Sequence, residues 1–204
     1  MKSITIKLTG IRPLIMSNPQ TVQLSNPFAV ESRRINGLVK NARKKQDENK
    51  LAEYEQLSAR NDWEASSYYD SELNCFFLPD TVISACIRSG AAAARKGKDI
   101  DRAVIVNETF VPIKGVPVHR GLDQYYADKR FVLSCPAKIP PKTGALIWKT
   151  RCLIPTGWTL EFTCDFDDNT IAEKSLVEAI EAAGRVCGIG GWRPKFGRFT
   201  VEAI

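Results

Sequence analysis

Apolar and polar residues alternate over the first stretch of the chain. Ile4, Ile6 and Leu8 fall on one side, and Thr5, Lys7 and Thr9 on the other. That period of two predicts a half-buried strand, with Gly10 and Pro13 marking a bend or bulge where it leaves its sheet. Residues 17–30 are polar and punctuated by proline, which predicts loop. From 31 to 66 the period lengthens. Leu51, Tyr54 and Leu57 recur at helical spacing among Glu and Lys, predicting two helices inserted after the first strand. Asn74–Leu78 is a short apolar strand closed by Pro79. Asp80 or Thr81 then stands where a short side-chain oxygen caps the next helix. That helix, Thr81–Arg95, carries Val82, Ala85, Cys86, Ser89 and Ala93 on one stripe. Gly90 and the run Ala91–Ala94 keep it thin enough to pack closely on a sheet.

Residues 104–143 are loop-rich, with two short apolar pieces (VIVNETFVPI and RFVLSC) that suit a surface hairpin. Leu146–Ile154 and Thr159–Phe166 predict two strands joined as a hairpin through Pro155-Thr156-Gly157. Asp167–Asn169 offers a cap for an amphipathic helix over Ile171–Val186, in which Leu176, Ile180, Ala183 and Cys187 share a face. A last strand spans Arg198–Ile204. With the insertions removed the order is βαββαβ. The expected class is therefore α+β, a ferredoxin-like (RRM-like) antiparallel sheet with a basic helical insertion after the first strand. The expected organisation is one domain over 1–204, with insertions at 26–72 and 104–143.

Composition narrows the function classes. The chain has 204 residues, 44% hydrophobic and 25% charged, an ordinary globular balance that excludes a disordered tail or fibre. No apolar run approaches the ~18 residues of a membrane span, and the N-terminus lacks a signal-peptide core. The expectation is a cytoplasmic protein with no membrane partner. Lys plus Arg exceed Asp plus Glu by 29 to 23, a net charge of +6. That excess matters only where it clusters.

It clusters twice. Arg33, Arg34, Lys40, Arg43, Lys44 and Lys45 lie within thirteen residues that hold no acid. Cations so placed neutralise phosphates and make binding salt-sensitive, although a solvated helix face is the commoner fate of a charge run. The second cluster is Arg193, Lys195 and Arg198, interleaved with Trp192 and Phe196 and with Gly188, Gly190, Gly191 and Gly197. Glycine lets backbone N–H groups approach a phosphate, and aromatic faces stack unpaired bases. The segment follows a helix and precedes a strand and lacks Gly-Lys-Ser/Thr, so it is neither a P-loop nor a dinucleotide fingerprint. A helix C-cap with a tight turn is the alternative.

Other chemistry is sparse. The six cysteines include no CxxC pair, and most sit in apolar company as small buried hydrophobes. No metal site and no cofactor are expected. His119 is the one histidine and the weak catalytic candidate as a general base; a plain surface role is the alternative. Asp165, Asp167 and Asp168 form an acidic run between strand and helix, better suited to capping than to a metal.

GIGGWRPKFGRFTVE resembles the C-terminal glycine-rich loop of the RAMP superfamily, the ferredoxin-fold proteins of CRISPR effector complexes. SITIKLTGIRPLIMS resembles that superfamily's first strand and its bend, here Arg12-Pro13-Leu14. FFLPDTVISACIRSGA resembles the segment in which a strand ends in Pro and opens a helix, here Pro79, Ser84, Arg88 and Gly90. The usual Gly after that Pro is replaced by Asp80. The resemblance implies RNA held by the glycine loop, by Ser84 and Arg88, and by the basic insertion. The expected function is a non-catalytic single-stranded nucleic-acid-binding protein, with RNA favoured over DNA, assembling along the strand with copies of itself or RAMP-like subunits. A divergent or phage-borne member fits equally. The alternatives are a phage-encoded inhibitor or assembly module that copies a RAMP surface, a single-stranded-DNA-binding protein, and a RAMP-type endoribonuclease using His119.

Overall fold

The computed structural model describes residues 1–92, 94–138 and 146–204. Two features of the sequence reading lie outside them: Ala93 in the helical stripe, and 139–143 at the end of the loop-rich insertion. In chain order the elements begin with β1 (Lys2–Gly10), β2 (Leu14–Ile15), a 3-10 turn (Pro19–Val22), α1 (Pro27–Lys45) and α2 (Glu48–Ser66). Next come β3 (Tyr69–Asp70), β4 (Cys75–Pro79), α3 (Asp80–Ala92), α4 (Gly97–Ala103), β5 (Val104–Val106) and β6 (Phe110–Pro112). The chain continues with α5 (Gly121–Ala127), a 3-10 turn (Lys129–Phe131), β7 (Val132–Lys138), β8 (Leu146–Ile154) and β9 (Thr159–Phe166). It closes with α6 (Glu173–Ala182), a π-turn (Ala183–Cys187) and β10 (Phe199–Ala203).

Two compact units share the chain. The first comprises Met1–Ile15, Tyr68–Val118 and Ile154–Ile204; the second comprises Met16–Ser67 and His119–Leu153.

In the first unit the alternation of β1 is expressed directly. Ile4, Ile6 and Leu8 are buried, as are Leu160, Phe162, Cys164 and Phe166 of β9. The two strands pair antiparallel from Lys2↔Phe166 to Thr9↔Thr159, so the two apolar sets share one face. Each such side chain contributes about 1.5–3 kcal/mol by leaving water. The sheet order is β10-β1-β9-β5, antiparallel throughout, with α3 between β1 and β5 and α6 between β9 and β10. This is the α+β, antiparallel class predicted. The two helices meet at Gly90, where a Cβ would run into the Ala179 carbonyl oxygen. A smaller sheet, β3-β4-β6, lies in the same unit.

Three strand assignments differ from the sequence reading. The second strand of the sheet is the three-residue β5, and β8 pairs with β7 in the second unit. The Pro155-Thr156-Gly157 turn is real (Gly157 has φ +95°), but β8 and β9 do not form a hairpin. Both edges of β9 are taken, by the full length of β1 and by β5. The pieces VIVNETFVPI and RFVLSC likewise pair with β9, β4 and β8, not with each other.

In the second unit α1 and α2 run back to back. Pro27 opens α1 behind Asn26, whose side chain accepts from the Phe28 N–H; Asp47 does the same for α2 through the Lys50 N–H. Arg43, Lys44 and Lys45 occupy the last turn of α1, where cations complement the helix dipole by about 0.3–1 kcal/mol each. Ile35 and Ala42 are buried from α1, and Trp63 and Ala65 from α2. Leu57 is exposed, so the apolar spacing at 51, 54 and 57 does not mark the core face. Asn61 bridges the helices, its Nδ2 donating to the Phe28 carbonyl and to Ser32 Oγ. The Trp63 indole N–H donates to the Phe131 carbonyl at 2.7 Å.

Candidate nucleic-acid interface

The glycine-rich segment is tied closely to the bend after β1. The Gly188 N–H donates to the Ala183 carbonyl, Ile189 to Gly197, Gly191 to Ile15 and Gly197 to Pro13, all within 2.7–2.8 Å. Gly188, Gly190 and Gly197 have φ of +74°, +81° and +69°, and a Cβ at Gly197 would collide with the Ile189 carbonyl. The N–H groups of Gly188, Gly191 and Gly197 are thus hydrogen-bonded within the fold. The glycines shape the loop, and side chains carry its charge.

Those side chains converge with one the sequence reading left out. The N–H groups of Ile11 and Arg12 both donate to the Arg198 carbonyl, at 2.9 and 3.2 Å. The bend is fixed from beneath by Trp158, whose buried ring sits where a Gly10 Cβ would be and whose indole N–H donates to the Arg12 carbonyl at 2.9 Å. The result is a cleft of about 540 Å³ lined by Arg12, Pro13, Pro194, Lys195, Phe196 and Arg198. Three of its six residues are cations and none is an acid. Arg198 Nε is held by the Pro194 carbonyl at 3.0 Å, and the Lys195 ammonium lies 5.6 Å from the centre of the Phe196 ring. Among the described residues no carboxylate lies within ion-pairing distance of Arg12, Lys195 or Arg198.

Trp192 stands beside the cleft, 36% exposed, its ring 6.4 Å from that of Phe196. Its φ of +51° is a left-handed conformation that costs a bulky residue about 1–2 kcal/mol. The surrounding loop hydrogen bonds hold it there. Arg193 is exposed; its charge opposes the effect of burial on Cys86, whose thiol burial pushes up to about 12.

Ser84 and Arg88 are not brought to this cleft. Cys86 faces the loop, its Sγ 3.6 Å from the Gly188 carbonyl. Ser84 and Arg88 lie on other sides of α3, roughly 160° around the helix from Cys86. Arg88 pairs instead with Asp101 of α4 at 3.2 Å.

In the second unit the six cations of α1 separate by face. Arg33, Lys40 and Lys44 fall within about 40° of one another on the helical wheel, opposite Ile35 and Ala42. They make a row pointing to solvent. Arg33 also donates to the Leu24 carbonyl at 2.7 Å. Arg34 is engaged with Glu31 through two hydrogen bonds, at 2.6 and 2.7 Å. Arg43, Lys44 and Lys45 are exposed and have no ion-pair partner among the described residues.

His119 is built into the fold. Its Nε2 lies 2.8 Å from Asp128, its ring packs edge-on against Tyr125 and Phe131, and Arg130 holds the same carboxylate. Arg130, and then His119, hold Asp128 well below the usual carboxylate range against the opposing effect of burial. The acidic run also differs from expectation. Asp167 accepts from the Asn169 N–H and from Thr170 Oγ1, making a local turn, while Ala172 at the start of α6 supplies no side-chain cap. Asp168 pairs with Lys2 at 3.0 Å. Among the described residues no group of three His, Cys, Asp or Glu side chains could hold a metal. Cys86, Cys152 and Cys164 are buried, and burial raises all three thiols.

No protein-family model matches the chain, and no curated protein does. A solved structure shares its fold. A chain in the cryo-EM structure of the Type III-B Cmr-beta bound to cognate target RNA superposes with a TM-score of 0.54 at 11% identity. The match covers all of this chain and 61% of that one. Among the described residues no helix is long and apolar enough to cross a membrane.

Proposed function

We propose that this chain is a non-catalytic protein that binds single-stranded RNA and assembles along it with copies of itself or with related subunits, as a CRISPR effector backbone does. The observation that carries this reading is the cleft of Arg12, Lys195, Phe196 and Arg198. Three cations that share a cleft with an aromatic ring and have no ion-pair partner among the described residues match a phosphodiester backbone with unstacked bases. The row Arg33, Lys40, Lys44, with Arg43 and Lys45, supplies a second phosphate-binding face; Arg34 contributes once it leaves Glu31. Trp192 and Arg193 extend the first site. Ser84 and Arg88, on other sides of α3, stand outside this cleft, with Arg88 held by Asp101. The fold shared with a chain of an RNA-bound structure supports this assignment.

The test is fluorescence anisotropy of a labelled single-stranded RNA against protein, over a series of salt concentrations. Binding that weakens steeply with salt, and that Arg12→Ala/Lys195→Ala/Arg198→Ala abolishes in a folded protein, supports the reading. Salt-independent binding, or none, overturns it.

A protein-docking role has its own observation. Tyr68, just before β3, with Phe77 of β4 and Phe110 of β6 forms a row of rings, with centroids 5.8 and 4.9 Å apart, and Phe110 is 60% exposed. In that reading the chain acts as an assembly module or inhibitor. It predicts a stoichiometric protein complex that survives Arg12→Ala/Lys195→Ala/Arg198→Ala.

A further inference from the structure

Outside the glycine loop, the second unit carries a groove that no motif announced. It measures about 570 Å³ and runs between α1 and α2 over the start of β8. Asn36, Val39 and Arg43 line its α1 wall, at spacings of three and four that keep them on one helical face. Glu55 and Asp62 stand on the α2 wall, and Ile147 and Trp148 form the floor. Trp148 is 68% exposed and has no ring or cation partner among the described residues. A strand tryptophan left this far in water is unusual, because tryptophan is highly buried on average.

The walls differ chemically. Arg43 has no ion-pair partner among the described residues, and Lys40 and Lys44 follow on the adjoining flank of α1. On the other wall Asp62 is neutralised by Lys149 at 3.1 Å, which leaves Glu55 as an exposed acceptor. A cationic wall, an aromatic floor and an acceptor wall correspond to the three parts of a nucleotide: phosphate, base ring and base edge.

We infer that this groove is a base-stacking subsite for single-stranded nucleic acid, with Trp148 stacking an unpaired base, Arg43 holding its phosphate and Glu55 accepting from its exocyclic N–H groups. The inference rests on the function proposed above and adds to it a place where bases, and not only phosphates, are held. A second copy of the chain docking on the same face is the competing occupant. The exposed cations of α1 favour the nucleotide, because Lys40 and Lys44 beside Arg43 attract a polyanion.

Tryptophan emission isolates the site. Trp63 and Trp158 are fully buried, so in Trp192→Phe the one exposed indole is Trp148. The probes are a 20-nucleotide single-stranded RNA and an abasic strand of the same length and charge. The expected result is quenching of Trp148 and loss of its acrylamide accessibility with RNA but not with the abasic strand. Trp148→Ala is expected to weaken RNA binding about tenfold and leave the abasic strand unaffected, while Trp148→Phe retains most of the affinity. RNA that binds without touching Trp148 emission, and with equal affinity for Trp148→Ala, overturns the subsite and leaves the proposed function standing. Absence of any binding overturns both. A blue shift that grows with protein concentration alone assigns the face to a second copy and overturns the inference.

Discussion

Arg12 and Arg198 are neighbours by construction: the Arg12 N–H donates to the Arg198 carbonyl at 3.2 Å, although 186 positions separate them in the sequence. Both residues line the same cleft with Lys195 and no acid. Like charges held together by backbone hydrogen bonds repel in the free protein, and a bound anion relieves that repulsion. Under the proposed function each arginine should therefore contribute to anion affinity.

For these three cations the expected quantity is a salt slope. Each phosphate contact on a single strand adds about 0.7 to the dependence of log K on log salt. Replacing Arg12, Lys195 and Arg198 by Ala should lower the slope by roughly 2, and each single variant by about a third of that. Anisotropy titrations from low to moderate salt measure it. An unchanged slope in the triple variant removes the cleft from the interface.

On α1 the two arginines that adjoin in sequence should behave differently. Arg33→Ala/Lys40→Ala/Lys44→Ala removes the solvent-facing row and should weaken RNA binding at least tenfold at low salt. Arg34→Ala removes a side chain already paired with Glu31, and should change affinity less than threefold. Stability should shift by less than about 1 kcal/mol, the usual worth of an exposed ion pair. Equal losses in the two variants would show that the ion pair does not restrain Arg34.

The sheet was legible where period and length agreed. β1 and β9 alternate over eight or more residues, and α1 and α2 show through their helix-forming composition and clear breaks. β5 was not legible, because three residues, Val104-Ile105-Val106, carry no period. β8 was legible as a strand but not in its pairing, since a turn between two strands does not oblige them to pair. The basic residues of the site could be read directly. Arg12 could not, because its position depends on Trp158, 146 residues away. The sequence did hold one usable sign: Arg12 lies in the same bend as Pro13, between the first strand and the next apolar pair. Trp148 was missed because an aromatic residue in an apolar run reads as core.

The glycines make a stability prediction separate from binding. Gly90→Ala places a methyl group against the Ala179 carbonyl at the α3–α6 crossing, and overpacking of this kind costs about 1–3 kcal/mol. Gly197→Ala adds a left-handed φ to a collision with Ile189 and should destabilise at least as much while distorting the cleft. Urea unfolding reads the stability change for both, and anisotropy should show reduced affinity for Gly197→Ala but not for folded Gly90→Ala.

Acid sensitivity should trace to Asp128. Its carboxyl is held below the ordinary range by Arg130 and His119, so the folded state favours the ionised form. The resulting stabilisation is complete above the carboxyl's unfolded value, about 3.9, and fades as the pH falls through the folded value. Asp128→Asn should therefore be less stable than wild type at pH 7 and lose less stability between pH 4 and pH 2. His119→Ala should lower the melting temperature and leave RNA affinity within twofold. Thermal unfolding followed by circular dichroism across that pH range, with one anisotropy titration, checks both variants.

Coating of single-stranded RNA is tested by the size and absorbance ratio of the protein purified without nuclease, followed by sequencing of whatever nucleic acid accompanies it. A strand-coating protein should form particles larger than a dimer that contain short RNA, fall apart in high salt, and fail to form with Arg12→Ala/Lys195→Ala/Arg198→Ala. A monomer or dimer free of nucleic acid, with no affinity for added single-stranded RNA at low salt, would contradict that role.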